Sequence, residues 1–240
     1  MAAFIFIMLL AFAGAFIQRT IGFGFGIFVM TMLPYLLPSY GEATALSGLM
    51  ALGTSALLVY KYWNYINWRN LLPILCIFLL ISLVAIRVVV MLDTPVLKKI
   101  LGVTLIISFF YFWFFAKRIK LRPNVPTQTC LGTLSGFMGG FFGMQGPPAV
   151  LYFIEVAKNK EEYIALAQTY FAIGNFMMTL YRWHAGFVTS QVVLSWAISI
   201  PAVFIGTAVG SYIFKLTSLD ALRRIVFIYI GISGILALFF

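Results

Sequence analysis

The chain has 240 residues, of which 63% are hydrophobic and 9% are charged. Soluble domains carry roughly 25% charged residues, so this composition excludes a soluble fold and predicts an all-helical polytopic membrane protein. The formal net charge of +10 does not indicate a nucleic-acid partner, because the basic residues lie in short loops between apolar segments. Cys76 and Cys130 lie within apolar segments and indicate neither a disulfide framework nor a metal site.

In chain order, six apolar segments have about the 20 residues that a helix needs to cross the hydrocarbon core. They are residues 43–63, 71–92, 98–116, 163–183, 191–213 and 224–240. At the N-terminus, no charged region precedes the apolar residues 2–17, and further spans follow. We therefore interpret the first segment as a retained membrane segment and not as a cleaved signal peptide.

Two further apolar stretches, residues 1–38 and 127–157, are interrupted by glycine. The arms that follow the interruptions, residues 26–38 and 147–157, would be about 20 and 16 Å long as helices. Neither arm would reach across a core of about 30 Å. We predict two re-entrant hairpins in preference to tilted pairs of full-length helices. Their breaks should face the protein interior, because irregular backbone is not tolerated against lipid.

The second half of the chain, residues 123–240, repeats the order of the first half, residues 1–122. Residues 161–166 align with residues 41–46 at an offset of 120, and the glycine breaks are separated by a similar distance. Each half would hold one hairpin and three spans, so the two halves would face opposite ways. This pattern predicts an inverted-topology repeat, a common plan of secondary transporters.

Basic residues favour one side of this predicted topology. The loop at residues 117–122 contains four of them, and the parity of the spans places several others on the same side: Lys61, Arg69, Lys158, Lys160, Lys215, Arg223 and Arg224. By the positive-inside rule this side is cytoplasmic, and both termini are outside. The tilted-pair alternative gives the same parity.

The glycine breaks carry a family resemblance. The first reads Gly22-Phe23-Gly24-Phe25-Gly26 and the second reads Gly143-Met144-Gln145-Gly146-Pro147. A helix that begins with an acidic residue and is rich in small residues follows the first break, and the glycine motif recurs about half a chain later. This pattern resembles the TauE/SafE family of sulfite and organosulfonate exporters, which carry G-x-G-G-G in each half. Gln145 and Pro147 stand where the second motif has glycines. The resemblance implies transport of a sulfur-containing oxyanion across a bacterial plasma membrane.

Candidate binding residues surround both breaks. A helix that begins at a break has free N–H groups and a positive dipole end, so two such ends could hold an anion. Close packing of helices through glycine is the structural alternative. The residues assigned to substrate at the breaks are Gln18, Arg19, Thr20, Gly22, Gly24, Gly26, Gly143, Gln145 and Gly146. Arg19 would bind a sulfonate through two hydrogen bonds or extend to the membrane interface.

The helices that follow the hairpins carry matched polar positions. Ser47 corresponds to Gln168 and Thr54 to Asn175 at an offset of 121, and seven residues separate the two positions on each helix. Seven residues are two helical turns, so each pair lies on one face. Together with Thr169 and Tyr170, these side chains would complete the site or bond between helices. Arg182 lies near a span end, where anchoring at the interface is expected.

We predict a secondary transporter that moves a small anion by alternating access. A passive anion channel is the nearest alternative. An intramembrane enzyme is disfavoured, because the chain has one histidine and no pair of carboxylates on one span. A scaffold subunit does not require two broken helices. We predict no catalytic residues, cofactor or metal. The partners are a small anionic substrate and membrane lipid, whereas a coupling proton or sodium ion and a homodimer are left open.

Overall fold

The computed structural model describes residues 2–115, 123–213, 228 and 231–239. All regular structure in these ranges is helical. The helices are α1 Ala2–Ile21, α2 Phe25–Val29, α3 Leu33–Leu36, α4 Tyr40–Tyr62, α5 Trp68–Met91, α6 Thr94–Phe110, α7 Val125–Phe142, α8 Gly146–Val156, α9 Lys160–His184, α10 Ser190–Ile213 and α11, residues 231–239. The predicted basic loop at 117–122 and part of the predicted span 224–240 lie outside the described residues.

Four helices of the described part are long and apolar enough to cross a membrane. They are Ala3–Ile21, Tyr40–Tyr65, Trp68–Met91 and Ser190–Ile213. Large apolar side chains, such as those of Leu80 and Val84 on α5, are exposed on their outer surfaces. An exposed apolar surface of this extent is solvated by lipid and not by water. The chain is therefore a membrane protein, and the part of it that the structure describes is all-helical.

The two arms of the first glycine-broken segment are more unequal than the sequence indicates. Its first arm, α1, has 20 residues, which gives about 30 Å and is enough to cross the hydrocarbon core alone. Its return arm consists of α2 with five residues and α3 with four. The return arm divides because Pro34, in the first turn of α3, has no N–H to continue the hydrogen-bond ladder.

The second glycine-broken segment has less irregular arms. Its first arm, α7, has 18 residues. Its return arm, α8, is one helix of 11 residues, about 16 Å long and too short to cross by itself. Residues 146–156, which follow the second break, thus form a single short helix.

Helices α4 and α9 pack against each other and carry the matched polar positions. Gly41 of α4 contacts Phe187, just after α9, and Gly48 lies beside Thr179. Positions further along α4 therefore meet earlier positions on α9, and the two helices run antiparallel. On either side of this pair, α1 packs against α10 and α5 packs against α7.

Glycines permit the close approach of several helix pairs. A methyl group on Gly136 of α7 would lie 2.8 Å from the carbonyl oxygen of Phe78 on α5, and one on Gly206 of α10 would overlap the carbonyl oxygen of Phe12 on α1. Helices α6 and α11 cross at Gly102 and Gly234, where each glycine faces the backbone of the other. Small residues are the usual means by which membrane helices approach this closely.

The two central helices begin with the same capping motif. Before α4, the Ser39 side chain accepts a hydrogen bond from the Glu42 N–H at 3.2 Å. Before α9, the Asn159 side chain accepts one from the Glu162 N–H at 2.8 Å. Both are the first part of a capping box, which satisfies N–H groups that the helix leaves free. The two motifs are 120 residues apart in the sequence.

Candidate functional site at the two glycine breaks

The two glycine breaks are in direct contact. Gly22 and Gly24 have φ values of 96° and 103°, and Gly143 has a φ of 68°, so each break uses left-handed backbone that favours glycine. A methyl group on Gly26 would overlap the carbonyl oxygen of Gly143. A methyl group on Gly146 would lie 3.3 Å from the β-carbon of Phe23. Segments about half a chain apart in sequence thus form one structural unit.

A small cavity of about 30 Å³ lies between the breaks. This volume accommodates about two water molecules. Helices α1, α4 and α9 complete its wall, and its lining residues are uncharged: Gln18, Gly24, Phe25, Gly26, Ile27, Ala51, Gly143, Met144, Gln145, Gly146, Phe171 and Asn175. Of the residues predicted to bind substrate, the structure places seven at this cavity: Gln18, Gly24, Gly26, Gly143, Gln145, Gly146 and Asn175.

The helix ends at the cavity offer few backbone donors. Helix α2 has only five residues, so little of a helix dipole can develop. In α8, Pro147 and Pro148 occupy two of the first three positions and have no N–H. Gly146 and Ala149 retain the remaining N–H groups of that first turn. Side-chain amides must therefore supply much of the hydrogen bonding that the sequence assigns to helix ends.

An amide network supports the first break. The Gln18 side-chain amide donates to the Ser55 hydroxyl at 3.1 Å and to the Gln168 amide oxygen at 3.4 Å. The Gln168 amide in turn donates to the carbonyl oxygen of Gly22 at 3.3 Å. This network connects α1, α4 and α9 to the strained backbone. Gln168 therefore supports the break from behind the cavity and does not line it.

A hydroxyl relay supports the second break. The Tyr170 hydroxyl donates to the Ser135 hydroxyl at 2.7 Å, and Ser135 donates to the carbonyl oxygen of Gln145. The Gln145 side-chain amide donates to the carbonyl oxygen of Phe171 at 3.5 Å, whereas its amide oxygen is buried without a hydrogen-bond partner. Ser135, which no sequence motif identified, is thus the residue that connects Tyr170 to the break.

The other predicted binding residues lie outside the cavity lining. The hydroxyls of Thr20 and Thr54 donate to carbonyl oxygens of their own helices. The Arg19 Nε donates to the Ser211 hydroxyl of α10 at 2.7 Å. Two further hydroxyls, those of Ser47 and Thr169, are buried without hydrogen-bond partners, and Gly22 contacts the Tyr163 side chain.

Arg182 corrects a sequence interpretation. Its position near the end of a span indicated an anchor at the membrane interface, but it is 1% exposed. Its Nη2 donates to the carbonyl oxygens of Gly139 at 2.9 Å and Gly140 at 3.1 Å, near the end of α7. A cation is favourable there, because the carbonyl end of a helix is the negative end of its dipole; the Gly139 carbonyl oxygen also accepts from the Gly143 N–H. The heptad spacing of Gln168 and Asn175 continues to Arg182, and this signal could have identified it.

Comparison with known proteins gives concordant results over nearly the whole chain. A sequence model of the family described as "Sulfite exporter TauE/SafE" matches residues 7–237. The "Probable sulfite/organosulfonate exporter TauE" of Cupriavidus necator is 26% identical over 231 residues, which cover 94% of this chain and 90% of that protein. No solved structure matches. The chain belongs to the TauE/SafE sulfite exporter family, whose members are membrane transporters and not enzymes.

Proposed function

We propose that this protein carries sulfite or a small organosulfonate across the plasma membrane by alternating access, and that the anion binds between the two glycine breaks. The observation that carries the proposal is the shared cavity. Segments centred on Gly24 and Gly143 have no proximity in sequence, yet they contact each other and line one cavity with three side-chain amides. Neutral hydrogen-bond donors can bind an oxyanion and still release it, which a transporter requires.

The proposed binding groups are the amides of Gln145 and Asn175, together with that of Gln18 once its N–H groups exchange Ser55 and Gln168 for the anion. The buried Gln145 amide donates one N–H to the Phe171 carbonyl oxygen, and its second N–H would donate to the anion. Arg19 and the hydroxyls of Ser47, Thr54 and Thr169 form a more distant set. They would contact the anion only after the breaks move apart.

The proposed motion displaces one inverted repeat relative to the other. Two features support the repeat: the matched caps before α4 and α9, and the reciprocal packing in which α1 contacts α10 and α5 contacts α7. Each of these contacts joins the first helix of one proposed repeat to the second span of the other. Motion between repeats would therefore open the cavity first to one side and then to the other.

The proposed orientation follows from charge. Both termini would lie outside, and the basic residues at the opposite ends of the spans would face the cytoplasm. The substrate, the membrane and a coupling proton or sodium ion are the proposed partners, and a homodimer remains compatible with them.

Transport can be tested with purified protein in liposomes. Vesicles are loaded with unlabelled sulfite, and labelled sulfite is added outside at a low concentration. A carrier accumulates the label transiently above its external concentration, because internal substrate drives exchange. A passive channel brings the label only to equilibrium. Transient accumulation would support alternating access, and its absence despite rapid sulfite flux would identify a channel.

The site is tested in the same vesicles with Asn175→Leu. This change keeps the size of the side chain but removes its amide, so we expect the apparent sulfite affinity to fall by about tenfold, the loss of one hydrogen bond to an anion. The matched control is Thr207→Val on α10, whose buried hydroxyl bonds only within its own helix, to the carbonyl oxygen of Val203. Equal affinities in the two variants and the unmodified protein would refute the assignment of Asn175.

A further inference from the structure

Arg182 carries more hydrogen-bonding capacity than its structural role uses. Its Nη2 holds the two carbonyl oxygens of α7, but its Nη1 is buried without a hydrogen-bond partner. Within the described part of the chain, no carboxylate forms a salt bridge with it. A buried cation without a counter-ion is costly. The capping of α7 therefore accounts for the burial of Nη2 and does not explain the burial of Nη1.

Two hydroxyls on α9, which carries Arg182, and on the adjoining α4 also lack hydrogen-bond partners. The Thr179 hydroxyl, one turn before Arg182 on α9, is buried without a partner, and so is the Tyr40 hydroxyl. Tyr40, the first residue of α4, lies close enough to Arg182 for an electrostatic interaction. Donors are also costly to bury without acceptors. Two hydroxyls and one guanidinium N–H group thus lack an acceptor in one region.

The absence of a side chain at Gly48 leaves space beside two of these groups, Thr179 and Arg182. A methyl group on Gly48 would lie 3.3 Å from the Thr179 hydroxyl, 3.6 Å from the Arg182 Nη1 and 4.0 Å from the Asn175 amide oxygen. The first two atoms therefore border the same small volume beside α4. Asn175 borders this volume as well as the cavity between the breaks, so the two places adjoin each other.

We propose that Arg182, Thr179 and Tyr40 form a second anion-binding position, which receives the transported oxyanion between the central cavity and the membrane face where α4 begins and α9 ends. The inference rests on the proposed function, because it takes the transported anion as the missing counter-ion. Seven residues separate Asn175 from Arg182 along α9, about 10 Å. An anion would pass from neutral amides to a fixed positive charge over that distance.

A bound water molecule is the alternative occupant. Water would satisfy the two hydroxyls and the Nη1 N–H group, but it would not compensate the charge of the guanidinium. If only water occupies the space, an anion need not pass it. The two accounts therefore differ in whether a fixed negative charge at this position stops transport.

Thr179→Asp supplies such a charge, with Thr179→Asn as the matched control of the same shape. The aspartate would pair with Arg182 and occupy the anion position permanently. We expect labelled sulfite exchange in liposomes to be at least about tenfold slower in the aspartate variant than in the asparagine variant, because the two side chains differ only in charge. Thermal unfolding should occur at the same temperature or higher in the aspartate variant, because the buried guanidinium gains a partner.

Full exchange activity in folded Thr179→Asp protein would overturn the inference and leave the proposed function intact. Absence of oxyanion exchange in the unmodified protein would overturn the proposed function, and the inference with it. If Thr179→Asp does not fold, Tyr40→Phe replaces it as the test, because it removes one donor and leaves the carbonyl contacts of Arg182 in place. We then expect the apparent sulfite affinity to fall by about tenfold, and an unchanged affinity would refute the second position.

Discussion

Gly26→Ala tests whether transport depends on contact between the breaks. The added methyl group would overlap the carbonyl oxygen of Gly143, so the two backbones would have to separate by roughly 1 Å to restore a normal contact. Inserting a methyl group into a packed interior costs about 1–3 kcal/mol. Alanine in a helix recovers about 1 kcal/mol of this relative to glycine. The expected net loss of stability is therefore about 0–2 kcal/mol, which leaves the protein folded.

A loss of transport should appear although the protein stays folded. Gly26 lines the cavity, and separation of the breaks would change the distances between the amides that we assign to the anion. We expect sulfite exchange in liposomes to fall by at least about tenfold, the equivalent of about 1.4 kcal/mol.

The matched control for this variant is Gly53→Ala on α4. There the nearest atom to an added methyl group is a side-chain carbon of Val203 at 3.7 Å, an ordinary contact. The control should transport as well as the unmodified protein and unfold at the same temperature or slightly higher. Normal transport by Gly26→Ala would refute the requirement for close contact between the breaks. Equal losses in both variants would show that any added methyl group is harmful.

Three further predictions concern the supports of the site. Ser135→Ala removes the link between Tyr170 and Gln145 and should lower the free energy of unfolding by about 1–3 kcal/mol, as measured by equilibrium denaturation. The control, Ser199→Ala, loses a hydrogen bond only within α10 and should change the free energy of unfolding by less than about 1 kcal/mol. Asn159→Ala removes the cap of α9 and should cost about 1 kcal/mol in the same measurement, and no change would contradict the cap. Gly48→Ala should reduce sulfite exchange by about tenfold at unchanged thermal stability, because its methyl group would enter the space beside Thr179 and Arg182. Full sulfite exchange by this variant would show that transport does not use this space.

The amino-acid sequence predicts the central helix pair well, for a physical reason. Spans need long apolar runs, and polar residues within them stand out against that background. The seven-residue spacing of Gln168 and Asn175 on α9 therefore identified a polar face, and the structure places Asn175 at the cavity. The glycine breaks were equally visible, because glycine tolerates the backbone angles that a break requires.

The partners of these polar groups were less predictable. Ser135 lies in a helix of ordinary appearance, and its role depends on Tyr170 and Gln145, which approach it only through tertiary packing. The position of Arg182 along its span predicts a side chain at the membrane interface. The structure buries it because α7 ends beside it and presents two carbonyl oxygens. Contacts between residues on different helices depend on how the helices pack, and the spacing of residues along one helix does not predict that packing.

The unequal arms of the first glycine-broken segment have a similar origin. Residue counts showed that the return arm after Gly24 is too short to cross, but not that it divides into α2 and α3. Nor did they show that α1 alone is long enough to span the hydrocarbon core. The break begins at Gly22, where the Gly22 N–H still bonds to the carbonyl oxygen of Gln18. The end of α1 is thus set by local backbone conformation, whereas its packing against α10 is a tertiary effect.

The central claim is that the transported anion binds between the two breaks. The most direct measurement is a crystal structure with 2-bromoethanesulfonate, an organosulfonate whose bromine gives an anomalous signal, in protein whose exposed Cys76 and Cys130 are replaced by alanine. We predict a bromine peak beside the cavity, with the sulfonate oxygens within hydrogen-bond distance of the Asn175 and Gln18 amides. A bound sulfonate that contacts neither glycine break would contradict the claim.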